Sequence, residues 1–466
     1  MGWSLVGRLS SPVRFRTETK KINKVVAVRA SIQRLIKVAK RKRIAAICAA
    51  ACLLLPRAVL ATNGLNLIGF GTESNAMAGA DTAVARDTTA LNTNPAGLTQ
   101  LTGTALDVYS GLAFALDVGH QDGFGNDREV SNTVIGLGGF GYARQIWDGN
   151  AQLGIGFFGQ GGAGCVLEDL ATAFGTRDEL SSLFRIVKLT PGIAYRIDDS
   201  LSLGVSASIA YADLTQKIFP DTSFYNAADP ASSFFGYRLD GAHDVSFSPK
   251  LGAMYRVNDR LTLGASYTAR TPLPMQHGTL VSDQSSLGLG KVTYHDVHAD
   301  GLALPREIAV GAALRPNADW LVSFKLDWLN WSDAVQVTTL TASAPDNPAA
   351  SATLANTNTQ DWRDQWVLAV GGAYRFDAKT VLRMGYNYGR NPIPSEHTNP
   401  LLSTITEHHL TCGVSRQLND EWNLSTALEY AHGGKVTYTN PELPFGANAA
   451  EKDNYLGWYL MASRRW

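Results

Sequence analysis

The last twelve residues read Tyr455-Leu-Gly-Trp-Tyr-Leu-Met-Ala-Ser-Arg-Arg-Trp466. At period two, Leu456, Trp458, Leu460, Ala462 and Trp466 fall on one face of an extended strand. Tyr455, Gly457, Tyr459, Met461, Ser463 and Arg465 fall on the other. A closing strand that is apolar on one side, mixed on the other and ends on an aromatic fits a transmembrane β-barrel, whose outer face meets lipid between aromatic girdles. Arg464 interrupts the apolar face near its end, where a long side chain can snorkel toward the headgroups.

The same alternation recurs upstream. Leu153, Ile155 and Phe157 alternate with Gly154, Gly156 and Phe158, and Leu203, Val205, Ile209 and Tyr211 alternate with Gly204, Ser206, Ser208 and Ala210. Trp320, Val322, Phe324, Leu326 and Trp328 alternate with Leu321, Ser323, Lys325 and Asp327. Short turns separate such runs at Asp198-Asp199-Ser200, Asn258-Asp259-Arg260, Pro316 to Asp319, Asp377-Ala378-Lys379 and Asn419-Asp420-Glu421. Longer polar stretches at 216–242, 341–360 and 391–404 read as loops. Short turns on one side and long loops on the other predict an all-β, antiparallel transmembrane barrel over 104–466; counting the alternating runs gives about fourteen strands, an even number as closure requires. A soluble β-sandwich or propeller is the competing fold; it would need neither an export signal nor a terminal aromatic.

The chain has 466 residues and a formal net charge of zero. Residues 1–61 carry 14 Lys and Arg against Glu18 alone, so the remainder holds 27 basic and 40 acidic side chains, a net of −13. An acidic body argues against nucleic acid as a partner. Lys40-Arg41-Lys42-Arg43 precedes the apolar run Ile44–Leu55, and Val59-Leu60-Ala61 offers a cleavage point after Ala61. This order of charge, apolar stretch and small residues is an export signal, with a retained signal anchor as the alternative. Cys165 and Cys412 are the only cysteines beyond it, and nothing in the spacing frames a disulfide.

Residues 62–103 do not alternate, and Asn94-Pro95-Ala96-Gly97-Leu98 should turn sharply. Such a segment ahead of a barrel is either a linker or a plug folded into the lumen. Here the chain resembles the FadL-type outer-membrane transporters of long-chain fatty acids and other hydrophobic compounds. Gly71, Ala76, Ala78-Gly79, Ala83, Ala85, Asp87 and the run from Asn94 to Leu98 are similar to the N-terminal hatch of that family. The likeness continues through Gly154-Ile-Gly-Phe-Phe-Gly-Gln-Gly-Gly-Ala-Gly164, Trp362-Arg-Asp364 with Val370 to Tyr374, and Leu382 to Tyr388 with Pro392-Ile-Pro394.

The resemblance implies a monomeric barrel plugged by the hatch at 62–103, with Asn94, Pro95, Ala96 and Gly97 as gating residues. It implies capture of a hydrophobic ligand at outer loops, passage to an inner apolar pocket, and passive sideways exit where the third strand kinks inward. Its surroundings would be outer-membrane lipid and lipopolysaccharide. Gly159, Gly161, Gly162 and Gly164 are the residues expected at the kink, since glycine inside a strand marks a bulge or bend, though they could also end the strand. A gap there spares an apolar ligand the crossing of water, roughly 0.8 kcal/mol per CH₂. The residues expected at the ligand are Phe158, Leu167, Leu170, Phe174, Phe184, Arg185 and Lys188. Val166 to Phe184 reads as a helix-compatible apolar run forming one side of an outer groove, with Phe219, Phe224, Tyr225, Phe234, Phe235 and Tyr237 on the other; loop-on-loop packing is the alternative. The inward parity also carries Lys188, Lys250, Arg270, Lys325, Arg375 and Arg383, with Glu307, Asp327 and Glu429. Those charges either pair across the lumen or meet an anionic head group, Lys188 and Arg185 first among them.

No catalytic or metal constellation stands out, and no cofactor is expected. His295 and His298 lie three apart and face opposite sides of a strand, as do the neighbours His408 and His409. Gly156 to Gly164 lacks the Lys-Ser/Thr of a phosphate loop, and no Gly-x-Ser-x-Gly elbow occurs. The sequence therefore reads as a transporter, with a surface adhesin or general porin as alternatives. If the export reading holds, the membrane-inserted protein begins at Thr62. Mass spectrometry that finds Lys40 to Leu55 retained would establish a signal anchor instead.

Overall fold

The computed structural model describes residues 63–466, so the expected signal segment and cleavage point lie outside the described residues. Fourteen antiparallel strands close into a barrel. They are β1 (Thr104–Gln121), β2 (Val134–Ile146), β3 (Ala151–Ala171), β4 (Arg177–Arg196), β5 (Leu201–Phe224), β6 (Phe234–Arg256) and β7 (Leu261–Thr268). The others are β8 (Arg306–Leu314), β9 (Trp320–Asn330), β10 (Gln365–Arg375), β11 (Thr380–Gly389), β12 (His408–Gln417), β13 (Trp422–Tyr438) and β14 (Ala449–Arg465). β14 pairs with β1 in the register Leu112↔Trp458. The closing bonds run from Thr104 N to the Trp466 carbonyl (2.8 Å) and from Trp466 N to the Thr104 carbonyl (3.0 Å).

The alternation places side chains as the sequence predicts. On β14 Trp458 and Leu460 are exposed to the outside, while Tyr455, Tyr459 and Met461 are buried inside. Arg464 does point outward, but it ion-pairs with Glu421 at 2.6 Å and lies over the rings of Trp466 and Trp422. Each expected short turn joins two strands at the end where β1 begins and β14 finishes. The opposite end differs from the loop reading. Most of 216–242 is strand, and 341–360 contributes to a hairpin of Val337–Pro345 and Thr353–Thr359. β5 has 24 residues, whereas crossing a bilayer takes only about 9–11. The wall therefore continues as a crown beyond the membrane.

Val166 to Phe184 is also strand, not helix: it is the hairpin of β3 and β4, turning at 172–176. Leu167 and Leu170 are three residues apart and would face opposite ways on a regular strand. A bulge at that point, with Asp169 at φ 56°, resets the parity and buries both.

Residues 63–103 fill the lumen through a short helix (Gly71–Ala76) and two 3-10 turns (Thr88–Leu91 and Pro95–Gln100). Glycines on the inward face of the wall make room for them. A Cβ at Gly204 on β5 would lie 2.3 Å from Ala96 N, at Gly252 on β6 2.0 Å from Asn94 Oδ1, and at Gly264 on β7 2.1 Å from the Thr82 carbonyl. At Gly141 on β2 it would lie 2.2 Å from Thr88 Oγ1, and at Gly371 on β10 2.6 Å from the Met77 carbonyl. Most of the obstructing atoms are backbone or short side chains that cannot swing away. Gly264→Val should therefore cost about 1–3 kcal/mol by overpacking and loosen the plug. The readouts are a lower unfolding temperature and raised ion conductance in planar bilayers. Gly372→Val is the control, because a Cβ there meets nothing within 4 Å.

Candidate functional site

The wall has one broken seam. β2 pairs with β3 from Ile146↔Ala151 only as far as Gly139↔Phe158. Beyond that point Val134 to Gly138 pair with β1 alone. β3 keeps its partner β4 through a bulge between Gly159 and Gly161. Gly161 and Gly162 take φ of 155° and 148°, where a side chain is strained. Gly161 forms a bridge with Asn66 of the plug, and a Cβ on it would lie 2.0 Å from the Leu65 carbonyl. The strand has thus turned inward onto the plug. The seam is tied again by Ser131 N to the Val166 carbonyl (2.8 Å) and Val166 N to Asn132 Oδ1 (3.0 Å). The window between these ties is flanked by Val134, Ile135 and Leu137 on one side and by Gly159 to Gly164 on the other. Phe158 is the last paired residue, fully buried, with its ring edge-on to Phe70 of the plug at 6.3 Å.

The plug is held in two ways. Asn94 caps the turn that starts at Pro95, accepting from Ala96 N (3.2 Å). It also donates Nδ2 to the Thr82 carbonyl (2.7 Å) and to the Ala253 carbonyl on β6 (3.1 Å). Gly97 sits against Ala85, where a Cβ would be 2.7 Å from the alanine Cβ. On the other side Glu73 is buried and meets Arg383 of β11 at 2.6 Å. It also accepts from Ser415 (3.0 Å), Asn423 (3.1 Å) and Ser425 (3.2 Å). Burial works against the Glu73 anion, but Arg383, Arg86 and the two serine hydroxyls outweigh it and hold the carboxyl below its ordinary 4.5.

Two cavities stack at the outer end. A groove of about 280 Å³ lies between the outer ends of β5 and β6, the 337–359 hairpin and the 440–445 segment, with Phe234, Phe235, Leu354, Leu401, Leu443 and Phe445 on its walls. Leu167, Leu170, Phe219 and Phe445 share an apolar cluster beside it. Phe174 stacks on Phe234 at 4.7 Å and on Phe224 at 5.5 Å. A second cavity of about 80 Å³ shares Gln216, Tyr237, Leu340 and Leu401 with the groove and extends to Phe184. Phe184 joins a large apolar cluster that runs to Leu65 of the plug, Ala163 of the kink, and the edge-to-face pair Trp331 and Trp362.

Below this cluster lies a polar cavity of about 50 Å³ between plug and wall, lined by Gln160, Lys188, Lys250, Glu307, Lys325 and Asp327 among others. Lys325 pairs with Asp327 at 2.7 Å, and Lys250 lies 3.8 Å from Glu307. Among the described residues Lys188 has no ion-pair partner, and its hydrogen bond to Ser248 Oγ is 3.4 Å long. It is only 4% exposed. Arg185 requires a correction. It lies between the buried Phe184 and Ile186, so it points out of the barrel, where it pairs with Asp213 at 2.8 Å. It lies three positions before Lys188, and on a strand that puts the two on opposite faces. Glu429 does not pair across the lumen with a Lys or Arg; it meets His409, Tyr455 and Tyr459. Cys165 and Cys412 are both free.

Sequence reading missed Trp331 and the 440–445 wall of the groove, and gave Trp362 no place in the apolar cluster. The two tryptophans sit where the alternation of β9 and β10 breaks, and that break was the available signal. Among the described residues no group of three or more His, Cys, Asp or Glu is placed to hold a metal.

A family profile described as outer membrane protein transport protein (OMPP1/FadL/TodX) matches residues 58–455. The long-chain fatty acid transport protein of Escherichia coli O6:H1 is 21% identical over 307 residues, covering 58% of this chain and 64% of that protein. The match thus spans just under two thirds of that relative's length. Among solved structures, the Pseudomonas putida toluene transporter TodX superposes with a TM-score of 0.71 at 17% identity, over 86% of this chain and 99% of that one. The Ralstonia pickettii toluene transporter TbuX gives 0.68 at 20%, over 86% and 99%. At such identities the likeness is one of fold.

The Glu73 anchor makes two predictions. Arg383→Met leaves a buried carboxylate without its cation and should cost about 3–5 kcal/mol in denaturant unfolding, most of it recovered in Glu73→Gln/Arg383→Met. Because the folded Glu73 carboxyl lies below its unfolded value, its contribution is present above about pH 4.5 and is lost as pH falls through the folded value. The stability gap between the natural chain and Glu73→Gln should therefore shrink on acidification.

Proposed function

The chain belongs to the outer membrane protein transport protein (OMPP1/FadL/TodX) family, and from that premise we propose that it takes up a hydrophobic small molecule across a Gram-negative outer membrane by passive diffusion. The ligand enters the outer groove, passes to the Phe184 cavity and leaves sideways through the window between β2 and β3. The broken seam carries this reading. A strand edge left unpaired at membrane depth is costly, and it is tolerated only where protein covers it or a cavity opens there. Here the uncovering is built from glycines that a β-strand does not otherwise need.

The plug moves to open the path, turning on the Asn94-Pro95-Ala96-Gly97 segment. A general porin would need an open polar lumen, whereas here residues 63–103 pack against the inward face of the wall. The substrate class follows from Lys188. A buried ammonium without a counter-ion is expensive, and a ligand carboxylate would supply one, which favours a long-chain acid over a neutral hydrocarbon. The protein acts as a monomer. Its outer rim, with the Arg185–Asp213 pair and the exposed His408 and His432, sits at the level of lipopolysaccharide.

The test is uptake of labelled oleate and toluene by cells lacking their own transporter. Gly161→Val should force β3 off the plug and cut uptake of both by about tenfold or more, a barrier change of about 1.4 kcal/mol per tenfold. Lys188→Met should lower oleate uptake and spare toluene. Unchanged uptake in folded, membrane-inserted Gly161→Val would sink the lateral route. Loss of both substrates in Lys188→Met would sink the head-group role.

A further inference from the structure

The outer groove and the inner cavity differ in charge, and the difference bears on which form of a ligand is captured first. The inner cavity has three lysines on its wall beside Asp81, Glu307 and Asp327, and Lys188 is the lysine among them without an ion-pair partner among the described residues. Among the described residues that line the outer groove, none is Lys, Arg or His, and Glu442 is the one acid. Among the described residues Glu442 has no ion pair; its two oxygens accept from the backbone N–H (2.7 Å) and the hydroxyl (2.8 Å) of Thr359. Its carboxylate therefore lines the groove with no cation beside it among the described residues.

The rest of the polar lining is uncharged. Gln216, Ser282, Asn356, Asn358 and Asn399 reach the groove between its aromatic and aliphatic walls. Asn356 and Asn358 belong to the strand Thr353–Thr359, whose ladder runs to Val337–Pro345 alone. Along the other edge of such a strand, alternate residues present backbone N–H and C=O groups with no strand partner. Seven residues of an edge strand without a charge or a proline are unusual, because natural edges are commonly blunted by one or the other. The wall thus offers neutral donors and acceptors beside apolar surface, with one fixed negative charge.

On the reading that this groove receives the transported ligand, we infer that it captures amphiphiles in an uncharged, hydrogen-bonding form, such as a protonated acid, an amide or an alcohol, and disfavours the free carboxylate. An acid would enter neutral and meet a cation only at Lys188. Glu442 repels an anionic head group, while the amides and the free strand edge bond a neutral one as well as water does.

The probes are decanamide and decanoate, which share a chain length and differ in head-group charge. The full mature chain is placed in lipid nanodiscs, with Asn356→Cys carrying an environment-sensitive dye in a Cys165→Ser/Cys412→Ser background, so that the signal comes from the groove. At about pH 8 decanoate is ionised, and decanamide should bind about tenfold more tightly, the scale of one like-charge contact. Glu442→Gln should narrow that ratio to about threefold, and Glu442→Lys should reverse it. Glu442 is on the surface, so both variants should fold. Equal binding of the two probes, or tighter decanoate, overturns the inference and leaves the channel reading intact. If neither probe changes the signal, the groove is not the capture site, and that reading fails together with the inference.

Discussion

In hydrocarbon, every backbone N–H and C=O must find a partner within the protein. That constraint explains the ring closure and the place where the ring is broken. β1 and β14 share a long, nearly continuous register, and the backbone of Trp466 bonds reciprocally to Thr104, so the first and last strands leave no edge. β3 departs from β2 at Phe158, yet its backbone is not abandoned. It stays in ladder with β4, bridges to Asn66 of the plug, and is caught again by Ser131 and Asn132. The window is therefore a bounded defect, tied beyond its far end and bridged to the plug.

This solution ties the kinked strand to the plug. Gly161 can approach Leu65 only because it lacks a Cβ, and the inward glycines of other strands accept the plug backbone for the same reason. Close contact over many strands fixes the plug by shape, and Glu73 fixes it by charge. The buried Glu73–Arg383 pair has enough hydrogen bonds to serve each oxygen, which is the condition under which a buried ion pair is not a liability. A ligand that moves the plug acts on the seam directly, since the two share the Asn66–Gly161 bridge.

The path above the plug changes character along its length. The groove is aromatic and neutral apart from Glu442, the middle is aliphatic and aromatic around Phe184 and Trp331, and the floor carries Lys188, Lys250 and Lys325. The zones therefore differ in charge: a single acid at the groove, an uncharged middle, and at the floor three lysines set among Asp81, Glu307 and Asp327.

Period-two alternation was enough to read the barrel, its closing strand, its tight turns and the inward charges, because in a barrel each residue sees only lipid or lumen. The glycine run of β3 marked the kink, and Asn94 to Gly97 marked a turn. The same rule read strictly would have separated Arg185 from Lys188. What the sequence could not determine depends on contacts between distant residues or on local breaks in the period. The bulge at Asp169 returns Leu170 to the same side as Leu167. Glu73 finds Arg383, 310 positions away. Glu442 meets Thr359 across the groove. Alternation assigns a face to each residue; only the closed ring, with its strands set at fixed heights around the plug, decides which residues on that face meet.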